Sequence, residues 1–151
     1  MASHTGQIQL STAGGGDVCP LSDRITEIVR DAGVERGVVT VFVPGATAAI
    51  TAMEYEPGGV QDLTTTLDRL IPRDGDYAPG GSAPYVGPSG PPTPDILDSK
   101  THAHIRAAVV GPSESIPLDA GRLLLGTWQE IVLIDFDDRP RERTVLVSVV
   151  S

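Results

Sequence analysis

Histidine is scarce in this chain, and its three copies, His4, His102 and His104, bound the acid/base and metal chemistry the sequence can support. His4 lies near the N-terminus, in a segment expected to fray. His102 and His104 flank Ala103 at the start of an expected helix. A spacing of two turns them about 200° apart on a regular helix, so both face one site only if His102 lies in the preceding loop. His104 is the stronger candidate for a general acid/base; the plainer alternative is a helix-start imidazole satisfied by a backbone carbonyl. A metal site from this chain alone would have to gather His102 and His104 with carboxylates such as Glu54, Glu56 or Asp62.

Two other stretches carry chemistry-bearing residues. Gly121-Arg122 and Gly126-Thr127-Trp128-Gln129 place the single tryptophan beside a glycine, an amide and an arginine. Gly126 permits close backbone approach, and the planar fork of Arg122 suits a carboxylate or phosphate. The alternative is a β-bulge with Trp128 as core filler. The second stretch, Thr47 to Glu56, is rich in small residues and ends in acids beside Pro57-Gly58-Gly59. Glu54 there could act as a base, or could cap the next helix; Asp62 has the same two readings. Gly-x-Ser-x-Gly, the P-loop, Gly-x-Gly-x-x-Gly after a strand and His-Glu-x-x-His are all absent, which lowers serine hydrolysis and nucleotide hydrolysis as functions.

These residues need a scaffold, and composition says what kind. The chain has 151 residues, with Asp+Glu 20 against Lys+Arg 11 and a formal net charge of −9. Phosphate backbones and anionic membrane surfaces repel such a chain, so no nucleic-acid and no membrane partner is expected. Cys19 is the only cysteine, which excludes an internal disulfide and a cysteine-based zinc site. No apolar run approaches the roughly 20 residues of a membrane span, and Met1 to Leu10 lacks the blocks of a signal peptide. A cytoplasmic location is expected.

Periodicity supplies the elements. Gly6 to Thr12 alternates as a half-buried strand, and Ser22 is placed to cap a helix with Ile25, Ile28 and Val29 on one face and a stop at Gly33. Val38 to Val43 reads as a buried strand and Ala46 to Met53 as an extended one. Val60, Leu63, Leu67, Leu70 and Ile71 fit a second helix ended by Pro72. His102 to Val110, capped by Thr101 or Ser99, forms the third. Residues 78–100 are a Pro/Gly-rich loop, expected to be mobile and to cover a pocket. Strands follow at Ile116 to Leu118, Arg122 to Leu125, Gln129 to Phe136 and Arg143 to Val150. The expectation is a single α+β domain over residues 1–151: a mostly antiparallel sandwich of about seven strands with about three helices.

Taken together, Thr47 to Glu54, Asp62, His104-Ile105-Arg106-Ala107-Ala108, Gly111-Pro112-Ser113, Ile116-Pro117, Gly121-Arg122 and Gly126-Thr127-Trp128-Gln129 resemble the YjbQ-like family from about Gly6 to Val150. Its members are regarded as secondary thiamine-phosphate synthases. The resemblance implies a compact α+β homotrimer with pockets near subunit boundaries and a three-histidine metal site. Of those histidines only His104 has a counterpart here. Gly45 stands at the first position and Pro79, two residues after Tyr77, at the second. Glu54, Asp62, Arg122, Thr127, Trp128 and Gln129 match the family.

The expected function is that of a small-molecule enzyme, repurposed from thiamine-phosphate synthase-like chemistry. His104, Glu54 and Asp62 are the expected catalytic groups. Arg122, Thr127, Trp128, Gln129, His102 and Tyr77 are the expected substrate-binding groups. No cofactor is expected, since one remaining imidazole holds zinc poorly; any metal would fall to His102 and His104. The alternative is a non-catalytic, metabolite-binding homotrimer.

Overall fold

The computed structural model describes residues 2–77 and 100–151. Among the described residues, eight strands and three helices follow in the order β1 (Ser3–Thr12), β2 (Asp17–Pro20), α1 (Ser22–Ala32), β3 (Gly37–Phe42), β4 (Ala48–Glu54), α2 (Pro57–Leu70), α3 (Thr101–Val110), β5 (Ser113–Asp119), β6 (Arg122–Leu123), β7 (Gln129–Asp135) and β8 (Arg141–Val150). Five strands form one sheet in the order β1-β8-β3-β5-β6, and three form another in the order β2-β7-β4. Every strand pair is antiparallel.

Alternation explains which faces meet. Val145, Val147 and Val149 of β8, Val39 and Val41 of β3 and Ile8 of β1 point inward from the large sheet. They pack on Ile131 and Leu133 of β7 and Ala48 and Ile50 of β4, while α1 inserts Ile25 and Val29, and its N-cap Leu21, into the same core. Strand β7 is buried on both sides, hence its unbroken run Ile131-Val132-Leu133-Ile134. Its other face, Val132 and Ile134, packs with Ala103, Ala107 and Leu67 of the covering helices. The result is three layers: the large sheet, the small sheet, and α2 with α3. This is the expected α+β sandwich.

Several local expectations shift. Strand β1 begins at Ser3 because its pairing with β8 runs from Ser3↔Val150 to Thr12↔Arg141, so His4 is held in a ladder rather than frayed. The short β2 had no expectation of its own; it survives as an edge strand, where Pro20 is tolerated. Ser22 is the first helical residue, and its hydroxyl accepts from the Ile131 N–H instead of capping α1. Gly33 does end α1 in the left-handed conformation. Glu56, not Glu54, caps α2, its carboxylate accepting from the Gly58 and Gly59 N–H groups. Lys100 is the N-cap of α3, in place of Thr101; Ser99 lies outside the described residues. Among the described residues no helix is long and apolar enough to cross a membrane.

Candidate functional site

His104 stands on the first turn of α3, against the connection between β3 and β4. Its Nδ1 lies 3.2 Å from the carbonyl oxygen of Ala46. A carbonyl only accepts, so Nδ1 carries the proton, and in the neutral ring Nε2 holds the lone pair. Nε2 is buried and has no partner among the described residues. The ring lines a groove of about 210 Å³ with Gly45, Ala46, Ala48, Ala107, Ala108 and Pro112. Two backbone bonds, Val43 N–H to Pro112 O and Ile50 N–H to Gly111 O, tie the end of α3 to this connection. The plainer sequence reading, an imidazole satisfied by a carbonyl, is therefore right for one nitrogen and not for the other.

Beside this groove, one end of the sandwich closes on an ionic cluster. The inward parity of β7 continues past Leu133 to Asp135, that of β8 reaches back to Arg143, and that of β1 reaches Thr12. Three positions that would be apolar further along the strands are polar at this end. Arg143 donates to both oxygens of Asp135, from Nε at 2.7 Å and Nη2 at 2.8 Å. The Thr12 hydroxyl donates to Asp135 at 2.6 Å and the Asp137 N–H at 3.0 Å. The Thr47 hydroxyl accepts from Arg143 Nη2 at 2.7 Å and donates to Asp137 at 3.2 Å. Lys100 and Arg141 also pair with Asp137.

Both aspartates are fully buried. Burial alone would push their pKa values up. For Asp135 the hydrogen bonds from Arg143 and Thr12 outweigh it, and for Asp137 those of Lys100 and the charge of Arg141 do, so both stay below the ordinary 3.8. The sequence reads as strands at Gln129 to Phe136 and Arg143 to Val150, with no role for Asp137 between them. Carboxylates at 135 and 137 and arginines at 141 and 143, each pair on one face of a strand or its extension, were the available signal.

The remaining expected site residues are dispersed. Glu54 ends β4 opposite Gln129, six residues beyond Ala48, or about 20 Å at the usual strand rise. Within one subunit it cannot touch His104. Asp62 lies on the exposed side of α2, past its first turn, so it does not cap that helix. Arg122 is exposed at the short edge strand β6, where Ala120 and Gly121, both with positive φ, make the hairpin turn. Thr127, Trp128 and Gln129 are exposed. The Gln129 side chain accepts from the Gly126 N–H and closes its own turn at 2.8 Å. Trp128 is 75% exposed, which rules it out as core filler. The Tyr77 hydroxyl donates to the carbonyl of Pro72. Arg106 is buried over Phe136 and ties α3 to Asp68 of α2 and to the carbonyl of Ile71, which caps that helix. Apart from Lys100, which begins α3, the expected loop at 78–100 lies outside the described residues.

The metal implied by the resemblance does not fit these residues. Among the described residues no three His, Cys, Asp or Glu side chains gather where they could hold an ion. Gly45 offers no ligand and has φ +124°. A Cβ built on it would sit 3.1 Å from Arg143 Nη1, so an arginine already borders that space. Pro79, outside the described residues, has no ligating side chain.

His102 faces elsewhere, as its spacing from His104 required. It is buried, with Nε2 3.5 Å from Asp138 Oδ1. Burial lowers its pKa below 6.5; Asp138 pulls it up in part, and Arg106 and Arg73 push it down. The folded ring is thus neutral where the unfolded one begins to charge. As pH falls below about 6.5 the unfolded chain takes up the proton first, and stability is lost until the folded ring also titrates. Thermal melts between pH 7 and 5 should show this decline, and His102→Gln should flatten it. A slope unchanged in the variant would contradict the assignment.

Comparison with known proteins fits this architecture. The family model for UPF0047 protein YjbQ-like matches residues 6–151. A UPF0047 protein of Archaeoglobus fulgidus is 31% identical over 142 residues, covering 94% of this chain and 98% of that protein. One of Mycobacterium tuberculosis is 39% identical over 116 residues, 76% of each. The solved structure of a YbjQ-like protein of unknown function from Sulfolobus solfataricus superposes with a TM-score of 0.82 at 27% identity, covering 97% of this chain and 96% of that one. With the family model spanning nearly the whole sequence and relatives alike over most of their length, the chain belongs to the UPF0047 YjbQ-like family.

Proposed function

We propose that this protein is a small-molecule enzyme in which His104 is the general base and which needs no resident metal. One observation carries the reading: the Ala46 carbonyl fixes the proton on Nδ1 and leaves the buried Nε2 without a partner among the described residues, on a side chain that lines a groove. A bare Nε2 of fixed orientation is the form that accepts a proton from a substrate. Gly45 and Pro79, at the two positions where the resemblance implies histidines, favour a repurposed reaction, such as a metal-free cyclisation or lyase step, over retained thiamine-phosphate synthase-like condensation.

Glu54, Arg122 and Trp128 enter this reading through a homotrimer. Glu54 lies too far along β4 to serve the His104 of its own subunit. Trp128 at 75% and Leu124 at 56% exposure are large apolar groups that a subunit contact would cover. A binding module without turnover is the second reading, favoured by the lack of a carboxylate among the described residues that line the groove with His104. Elemental mass spectrometry of protein purified without chelators tests the metal-free claim. We expect no stoichiometric metal; one zinc per chain would overturn it.

A further inference from the structure

We infer that β1 is a docking edge for a second copy of this chain, the two β1 strands pairing antiparallel about a two-fold axis into one continuous sheet. This stands independently of the role of His104. Strand β1 is an outer strand of the large sheet, whose order β1-β8-β3-β5-β6 leaves one of its sides unpaired among the described residues. Parity says which groups line that side. The Ser151 N–H donates to the Ala2 carbonyl at 3.0 Å, one step before Ser3↔Val150 in the register. Ala2 and, by alternation, His4, Gly6 and Ile8 therefore spend their backbone groups on β8. The backbone groups of Ser3, Thr5, Gln7 and Gln9 point away from it. A bond from α1 agrees with this parity: Arg24 Nη2 donates to the Gln9 carbonyl at 2.8 Å. Ser3, Thr5 and Gln7 are exposed.

The other outer strands of the two sheets are blunted as free edges, and this one is not. Strand β6 has 2 residues and includes Arg122. Strand β2 has 4, with Asp17 at one end and Pro20 at the other. Strand β4 gives the Ile50 N–H to the Gly111 carbonyl and ends on Glu54. Strand β1 runs for 10 residues without a proline, Asp, Glu, Lys or Arg, in a chain of net charge −9. Charge selects the occupant. Self-pairing sets identical strands opposite each other, where like charges are destabilising, so a neutral edge is what two copies of an acidic chain can bring together. A charged peptide strand would find no counter-charge on β1. With the Gln9 carbonyl taken by Arg24, the open stretch from Ser3 to Gln7 centres on Thr5. Thr5 then faces the partner's Thr5 and Ser3 faces the partner's Gln7, each pair exchanging two backbone bonds. The opposite edge of the large sheet is the short β6, so pairing along this sheet closes at two copies.

Two measurements on the full chain test this: sedimentation velocity over a range of concentrations, and amide hydrogen exchange along β1. The wild type should sediment as an even-numbered particle, a dimer or, with the trimer contact at Trp128 also made, a hexamer. Its Thr5 and Gln7 amides should exchange slowly. Thr5→Lys sets two like charges across the axis and should weaken the association by at least about tenfold and free both amides. Thr5→Val, uncharged and β-branched, should retain association and protection. Thr5 is exposed, so neither substitution disturbs the core. Trp128→Ala should leave the β1 pair in place, which separates this contact from the trimer contact. A wild type that is monomeric or trimeric at every concentration would overturn the inference, as would association unchanged in Thr5→Lys. Fast exchange of both amides in the assembled protein would also overturn it. So would slow exchange in a monomeric Thr5→Lys protein, because the edge would then be covered within one chain.

Discussion

Asp135→Asn is expected to destabilise the protein by about 3–5 kcal/mol, the cost of leaving one member of a buried ion pair uncompensated. Volume is nearly conserved, so the effect isolates charge and hydrogen bonding. The native carboxylate accepts four hydrogen bonds, from Arg143 Nε and Nη2, Thr12 and the Asp137 N–H, at 0% exposure. An asparagine NH₂ in that place turns a donor toward the donors of Arg143. For a chain of this size each kcal/mol lowers Tm by about 2–4 °C, so a fall on the order of 10 °C is expected in a thermal melt. Arg36→Ala is the control. Its bond to Asp119 joins side chains 85% and 52% exposed, and such pairs contribute at most about 1 kcal/mol. Equal losses in the two variants would contradict the view that the sandwich end is held by buried charge. Because Asp135 stays below the ordinary aspartate pKa, its contribution is present above pH 3.8 and is lost as acid drives it through its folded value.

His104→Ala should have the opposite profile. Stability changes by about 1 kcal/mol, since the variant removes one hydrogen bond to a carbonyl. Turnover falls by about 10²–10⁴-fold, the usual contribution of a positioned acid/base. Incubating wild-type and variant proteins with a metabolite extract, and following depletion by mass spectrometry, measures this before the substrate is known. A metabolite consumed by the wild type and spared by the variant identifies the substrate class. Equal consumption would remove His104 from the chemistry. Retention of a metabolite by the wild type without consumption would move the reading to a binding module.

The parts of the fold legible in the sequence were those written in local pattern. The run Ile131 to Ile134 signals a strand buried on both faces, the alternation Val145, Val147, Val149 a half-buried one, and Gly33 a helix stop. Strand β2 was not legible, because four residues ending in proline carry no periodicity and only pairing with β7 makes them a strand. Ser22 has the chemistry of an N-cap, yet Ile131 claims its hydroxyl from a neighbouring strand. His104 was legible as a site residue from its scarcity and position. The cluster around Asp135 was not, because Thr12, Asp135 and Arg143 meet only through the register of strands far apart in sequence. Trp128 misled the core reading for a related reason: side-chain size suggests burial, but residue 128 lies in the exposed turn that Gln129 closes.

The central claim rests on one ring nitrogen. A ¹⁵N–¹H correlation spectrum of the imidazoles at neutral pH reports which nitrogen of His104 carries the proton. The Ala46 carbonyl requires it on Nδ1, with Nε2 bare and free of metal. A proton on Nε2, or a metal bound there, would contradict the account of this site.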